Sequence, residues 1–327
     1  MSGTINWGII APGKIASKFA SDLKLVKNAI LHAVASRDMS RAKKFASTYN
    51  ANKAYGSYVE LVNDPKVDIV YIASPHVLHY EQTLMCLNKG KHVLCEKPMG
   101  MNAQQVKELA GIAKEKGLFL MEALWTQFLP SFKKCKEIVA DGLIGHIKFI
   151  QADFGFKANY DTIARTFSKN LGGGSLLDIG IYPVFFALEI LGEPEKIRTS
   201  AIIGDTGVDE TCSMVFSYPS KGVVANLASS FLVKTPTEAL ICGTNGTIKL
   251  HSQWHTPTSL TLTQNDSEQL FTFDEPGFGY EHEIREVLNC LEKGLIESES
   301  FPLSKSFQLH QILDKVRKII GLQYIYD

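Results

Sequence analysis

Asn6-Trp-Gly-Ile-Ile-Ala-Pro-Gly-Lys-Ile-Ala16 is the stretch on which the reading of this chain turns. Asn6–Ile10 is a short apolar, strand-like run that ends in a tight turn. The spacing Ala11-x-Gly13-x-x-Ala16 then matches the dinucleotide fingerprint, with alanine at its first and last positions. Gly13 stands where the backbone must approach a pyrophosphate, and the helix that follows offers unpaired N–H groups and a positive dipole end. Ala11, Pro12, Gly13, Lys14 and Ile15 are therefore the first candidate cofactor-binding residues.

Outward from this turn, a second strand at Leu31–Ser36 ends in Ser36-Arg37-Asp38. NAD sites usually place a carboxylate at this strand end to accept from the ribose 2′-hydroxyl. Here the position holds a hydroxyl and then a guanidinium, which can pair bidentately with a 2′-phosphate. Ser36 and Arg37 predict NADP over NAD, with Asp38 as a competing ribose ligand.

Further strand-like runs follow at Val67–Ala73, His92–Glu96 and Phe119–Ala123. Helical stripes lie between them, such as Ala42, Phe45, Ala46 and Tyr49 at i, i+3, i+4 and i+7. Asn102 with Gln105 predicts the start of another helix and Gly117 its end. Strands alternating with helices predict an α/β fold, an N-terminal doubly wound parallel sheet of Rossmann type over residues 1–123. Beyond that the texture changes. His146–Phe156, Ile197–Ile203, Thr211–Tyr218, Gly222–Phe231, Ala239–Cys242, Thr247–His251 and Ser259–Thr263 read as strands joined by short turns. They predict an α+β domain over 124–327 with a large open, mostly antiparallel sheet, closed by a helix near Ser304–Ile320.

Lys+Arg 34 balances Asp+Glu 34, and no basic cluster interrupts the balance, which argues against nucleic-acid and membrane partners. The N-terminal residues do not read as a signal peptide, and no apolar run reads as long enough to span a bilayer. The six cysteines form no CxxC pair, which predicts reduced thiols and a cytoplasmic protein.

The fifth strand ends in Glu96-Lys97-Pro98. A lysine at the carboxyl end of a parallel strand, beside a nicotinamide, is placed for proton transfer, and the oxidised ring's charge would lower its pKa. Ser74-Pro75-His76 and His79 lie at a helix entry by the same crevice and are further cofactor candidates, as is Glu96. His76 and His79 lack a third ligand at usual zinc spacing, so no metal is predicted. His251, His255 and His282 read as structural or solvent-facing.

The run Ser74-Pro-His-Val-Leu-His79, then Gly90-Lys-His-Val-Leu-Cys-Glu-Lys-Pro98, Gly172-Gly-Gly-Ser-Leu-Leu-Asp178-Ile-Gly-Ile-Tyr182 and the ending around Tyr280–Phe301 closely resemble the glucose–fructose oxidoreductase / inositol dehydrogenase / rhizopine-catabolism (Gfo/Idh/MocA) family. Ala123-Leu-Trp125-Thr-Gln-Phe128 with Asp178 and Tyr182 is most similar to its branch of dimeric dihydrodiol dehydrogenases and NADP-linked D-xylose 1-dehydrogenases. The resemblance implies that Lys97, Asp178 and Tyr182 converge on the substrate carbon, with Lys97 as acid/base or polarising group, Asp178 orienting substrate or lysine, and Tyr182 as hydroxyl partner or proton relay. If Asp178 and Tyr182 open a helix, their i, i+4 spacing puts them on one face. Trp125, Phe128 and Phe154 are candidate pocket walls, with core packing as the alternative. Gln127 departs from the branch, which commonly carries arginine there.

The expected substrate is a small polyol, a sugar at its C1 hydroxyl, or a cyclic vicinal diol. A nucleotide-dependent glycosidase and a non-catalytic nucleotide sensor are alternative functions on the same fold. Apolar residues on both faces of Val223–Leu227 and at Phe231–Val233, together with the resemblance, predict a homodimer through the face of the C-terminal sheet.

Overall fold

Strand β1 (Ile5–Ile10) leaves Trp7, Ile9 and Ile10 with no exposed surface, as a central strand covered on both faces requires. It pairs in parallel with β2 (Ala29–Ala35) on one side and β4 (Ile69–Ile72) on the other. With β3 (Lys53–Tyr55), β5 (His92–Glu96) and β6 (Leu120–Ala123) the order is β3-β2-β1-β4-β5-β6, all parallel. Strand order reverses at β1, so the ligand crevice belongs at the carboxyl ends of β1 and β4. Helices α1 (Lys14–Leu23), α2 (Met39–Tyr49), α3 (Tyr58–Asn63), α4 (His79–Asn88) and α5 (Ala103–Lys116) connect the strands. Asn102 caps α5 by accepting from Gln105 N at 2.9 Å, and Gly117 ends it in the left-handed conformation. The Gln105 side chain turns back to Met101 N at 2.8 Å.

The computed structural model describes residues 3–325 and 327, and they divide into two compact units. The first holds residues up to Phe128 together with Glu275–Phe307, the second Leu129–Asp274 and the chain from Gln308 onward.

In the second unit α6 (Pro130–Ala140), β7 (Ile147–Gly155) and α7 (Ile181–Leu191) precede β8 (Lys196–Ile203), β9 (Asp209–Tyr218), β10 (Val223–Ser230), β11 (Ala239–Gly243), β12 (Thr247–Leu250), β13 (Leu260–Gln264) and β14 (Ser267–Phe271). These eight strands form one sheet in the order β14-β13-β12-β11-β7-β10-β9-β8. Only β7 and β10 run parallel; the other pairings are antiparallel. One face is core, where Ala225, Leu227, Met214 and Phe216 are buried. Helix α7 is apolar all round and buried. The segment Lys169–Leu191 does have the length and hydropathy to cross a membrane, contrary to the sequence expectation, but 89% of its apolar window lies inside the unit.

The sequence predicts one boundary, after Ala123; the chain divides after Phe128 and later returns to the first unit with α8 (Tyr280–Glu292). The cause lies in three anchors. The Asp22 carboxylate accepts from Phe278 N at 2.8 Å and Tyr280 N at 2.9 Å. The Tyr280 ring stacks on Trp125, with centroids 4.4 Å apart. Leu120 N donates to Ile296 O at 3.0 Å, continuing the edge of the parallel sheet. The last helix, α9 (Leu303–Ile320), begins in the first unit and ends in the second.

Candidate active site

The turn after β1 is shaped as a cradle. Ala11 adopts φ 62° and donates its N–H to Ala35 O at 3.1 Å, which fixes the turn to β2. Gly13 has extended backbone, so conformation does not demand glycine there. Packing does not demand it either: an added Cβ would meet nothing nearer than Ala11 O at 3.9 Å. Open space over Gly13 is what close approach of a pyrophosphate needs. Among the described residues no side chain caps α1 and no acidic residue sits in its first turn, so its leading N–H groups and dipole suit an anion. Pro12 is buried, whereas Lys14 and Ile15 are exposed beside the turn. These residues fit a dinucleotide.

At the end of β2, Ser36 is buried and its Oγ accepts from Asp38 N at 3.2 Å. Asp38 caps α2: its Oδ1 accepts from Ser40 N at 2.8 Å, Ser40 Oγ at 2.7 Å and Arg41 N at 3.4 Å. The hydrogen bond from Ser40 Oγ, then those from the two backbone amides, hold the carboxyl below its usual range. Oδ1 of the carboxylate that competed for a ribose hydroxyl is thus engaged by its own helix. Arg37 is exposed, and so is Arg41 one turn further on, a second guanidinium the sequence reading passed over.

Beyond β5, Glu96 accepts from the Tyr71 hydroxyl through Oε1 and from Lys97 N at 3.2 Å through Oε2. Lys97 is half-buried and precedes a cis peptide to Pro98. Met99 N donates to the buried Glu122 Oε1 at 2.8 Å. His79 corrects its expected role as a cofactor ligand. It has no exposed surface; Nδ1 lies 2.7 Å from Pro98 O and Nε2 2.8 Å from Ser74 O. The ring is held between the Ser74 loop and the Lys97 loop, each of which sets a carbonyl against one of its nitrogens. Burial pulls its pKa down, and the two carbonyls oppose that. His76 is buried beside it, ring centroids 5.9 Å apart, and Pro75 is half-buried.

In the second unit, Asp178 sits in a π-helical turn, Leu176–Gly180, that runs into α7 and carries Tyr182. The expected helix opening is there, but its first turn is widened. Single π turns of this kind recur at functional sites. The turn rests on Asp209, fully buried, whose Oδ2 accepts from Ser175 Oγ at 2.8 Å and Leu176 N at 2.7 Å. Asp178 pairs with Arg165 at 2.9 Å.

Tyr182 lies in an aromatic group. His255 stacks on Phe154, centroids 3.9 Å apart, and the Tyr182 ring is 5.0 Å from His255 and 5.8 Å from Phe154. The His255 loop is held by Trp254 Nε1, which donates to Asp153 O at 2.9 Å. His255, read from sequence as structural or solvent-facing, is therefore buried against the tyrosine. His251 is structural as read, its ring nitrogens meeting Thr261 Oγ1 and Ser259 Oγ. His282 is paired with Glu275 at 2.7 Å.

The expected pocket walls separate. Phe154 is half-buried beside Tyr182. Trp125 is engaged by Tyr280 within the first unit. Phe128 is 1% exposed and serves as core, the alternative its apolar ring always allowed. Gln127 is buried too and donates to Ser300 O, so it supplies nothing an exposed arginine would.

A cavity of about 510 Å³ opens at the amino ends of the first unit's strands, between residues such as Val26, Lys91 and Arg285. Ligands of open parallel sheets bind at the opposite, carboxyl ends, which is where the candidate residues Gly13, Ser36, Ser74 and Lys97 lie.

A doubly wound sheet with an open pyrophosphate turn, in a chain that also carries a unit with a broad antiparallel sheet, defines the class as a dinucleotide-binding protein, and relatives give the activity. Residues 5–124 match an oxidoreductase family with an NAD-binding Rossmann fold, and residues 132–249 match the GFO/IDH/MocA C-terminal domain. The chain belongs to the Gfo/Idh/MocA family and is an NAD(P)-dependent dehydrogenase. It is 40% identical to the trans-1,2-dihydrobenzene-1,2-diol dehydrogenase of Mus musculus, covering 99% of each chain, and 39% identical to that of Xenopus tropicalis, covering 97% of this chain and 98% of the relative. Among solved structures it is similar to a 3-ketoreductase from Actinomadura kijaniata in complex with NADP and TDP-benzene, with TM-score 0.86, 26% identity, and 97% and 98% of the two chains covered.

Proposed function

We propose that the protein is an NADP-dependent dehydrogenase of trans-dihydrodiols. Full-length similarity to enzymes named for that reaction supports the substrate class. The observation that carries the cofactor choice is the capture of Asp38 by the N-terminus of α2, which leaves Ser36 and Arg37 to meet a 2′-phosphate. The bound nucleotide supplies the hydride acceptor. Lys97 Nζ takes or polarises the proton of the reacting hydroxyl, Tyr182 Oη partners the same hydroxyl, and Asp178 orients the substrate through its carboxylate. Phe154, held by His255, offers an apolar face to a ring substrate. The protein acts in the cytoplasm as a homodimer through the outer face of its antiparallel sheet.

The test is a screen for reduced nucleotide with trans-dihydrodiols, inositols and aldoses, each with NADP and with NAD. Production of NADPH from a trans-dihydrodiol, well above that from any aldose, is the expected outcome. Turnover confined to aldoses, or faster with NAD, would overturn the assignment.

A further inference from the structure

We propose that Arg165 and Asp178 together form the subsite that recognises the second hydroxyl of a vicinal diol, with Arg165 as the specificity-determining residue. This rests on the diol reading above.

Arg165 Nη2 lies 2.9 Å from Asp178 Oδ2. The two side chains differ sharply in exposure: Asp178 keeps 9% of its surface, Arg165 40%. An ion pair with one partner this exposed adds little to folding, because solvent screens it and ordering the arginine costs entropy. Yet the segment carrying Arg165 is firmly placed. Phe167 is buried, Gly174 N donates to Thr166 O at 2.9 Å, and Gly173 N donates to Ser168 O at 2.9 Å. A side chain at Gly173 would strike the carbonyls of Arg165 and Thr166, both 2.7 Å from an added Cβ. The Gly-rich turn before Asp178 thus packs directly on the backbone that presents Arg165.

The chemistry of the pair fits one further hydroxyl. A carboxylate only accepts and a guanidinium only donates. A hydroxyl offers one donor and two lone pairs, so the second hydroxyl of a diol can donate to Asp178 and accept from Arg165 through the same oxygen. A monohydric alcohol, whose only hydroxyl is the reacting one at Lys97 and Tyr182, leaves the pair without that partner. Arg165 is a guanidinium paired with Asp178 within the second unit.

Calorimetric titration of the NADPH-saturated enzyme with trans-cyclohexane-1,2-diol and with cyclohexanol tests this. The wild type should prefer the diol, and Arg165→Gln should lose about tenfold or more of that preference, the scale of one charge-assisted hydrogen bond. Arg165→Lys should recover part of it, and NADPH affinity should stay within about twofold. Equal weakening of both probes, or an unchanged preference in Arg165→Gln, overturns the proposal. If the wild type prefers the diol but releases NADPH only with aldoses, the diol-dehydrogenase reading fails while the Arg165 subsite stands.

Discussion

At the end of β2 one aspartate separates two cofactors. Had Asp38 reached outward it would have met a ribose hydroxyl; instead three hydrogen bonds hold it against α2. Arg37→Ala should therefore weaken NADP by about 1.5–3 kcal/mol while leaving NAD little changed, measured as the two dissociation constants. Equal loss for both would remove Arg37 from the phosphate site. At the reacting centre, Lys97→Met should keep cofactor affinity and lower kcat by roughly 100-fold or more, the scale of a lost acid/base group. Near wild-type turnover would assign the proton elsewhere. Asp209 makes a prediction on stability. Burial outweighs the hydrogen bonds from Ser175 and Leu176 and pushes its pKa up to about 7. A folded-state pKa raised above the unfolded value means the native state holds the extra proton, so stability is greatest below the unfolded pKa and falls as pH rises through about 7. Between about pH 5 and pH 8 the wild type should lose about 2–3 kcal/mol more than Asp209→Asn in urea unfolding. Parallel pH profiles for the two proteins would show that Asp209 titrates as it does when unfolded.

Elements respond as units, and the π turn shows how. Gly174 has φ 117°, and an added Cβ would come within 2.3 Å of Asp209 Oδ1 and 3.0 Å of the Tyr324 hydroxyl. Gly174→Ala should cost about 2 kcal/mol or more of stability, from backbone strain and the displaced carboxylate together. Activity should fall with it, since Asp178 lies four residues on, in the π turn that Asp209 supports; a variant of wild-type stability in the same unfolding assay would show that the segment yields. How far such elements are legible depends on where their determinants lie. The β1 turn, α5 and the long strands of the second unit declare themselves locally, by apolar period, caps and short turns. Strand β14 had a local sign as well, the Asn265-Asp266 turn with positive φ at both residues, but its exposed residues give no apolar alternation. The return of α8 to the first unit had none, because it hangs on Asp22, 256 residues from Phe278. His255 is similar. A histidine in a loop carries no periodicity, and only its stacking on Phe154 shows what it does. Phe128 was open to either reading because a pocket wall and a core residue demand the same ring.

At the scale of the whole molecule, the broad sheet of the second unit poses the question of assembly. Along β10, Val223, Ala225 and Leu227 point into the core, while Val224 on the other face is 38% exposed. Val215 of β9, 36% exposed, and Ile202 of β8, 54% exposed, are further apolar side chains left uncovered on these neighbouring strands. Beyond β10, Phe231 is buried while Leu232 and Val233 are both exposed, so the strict alternation ends with the strand and further apolar surface is left uncovered. Burying apolar surface is worth about 25 cal/mol per Å², so a face of this kind gains from self-association, and a two-fold contact would set identical patches against each other. Light scattering across a wide concentration range should give twice the chain mass of 36.2 kDa. Val215→Asp with Val224→Asp should shift the particle towards that single-chain mass, because like charges on a self-complementary face repel whichever residues meet. Neither side chain belongs to the core, so each chain should keep its fold. A wild-type mass of 36.2 kDa at every concentration would mean that this face meets water rather than a second copy.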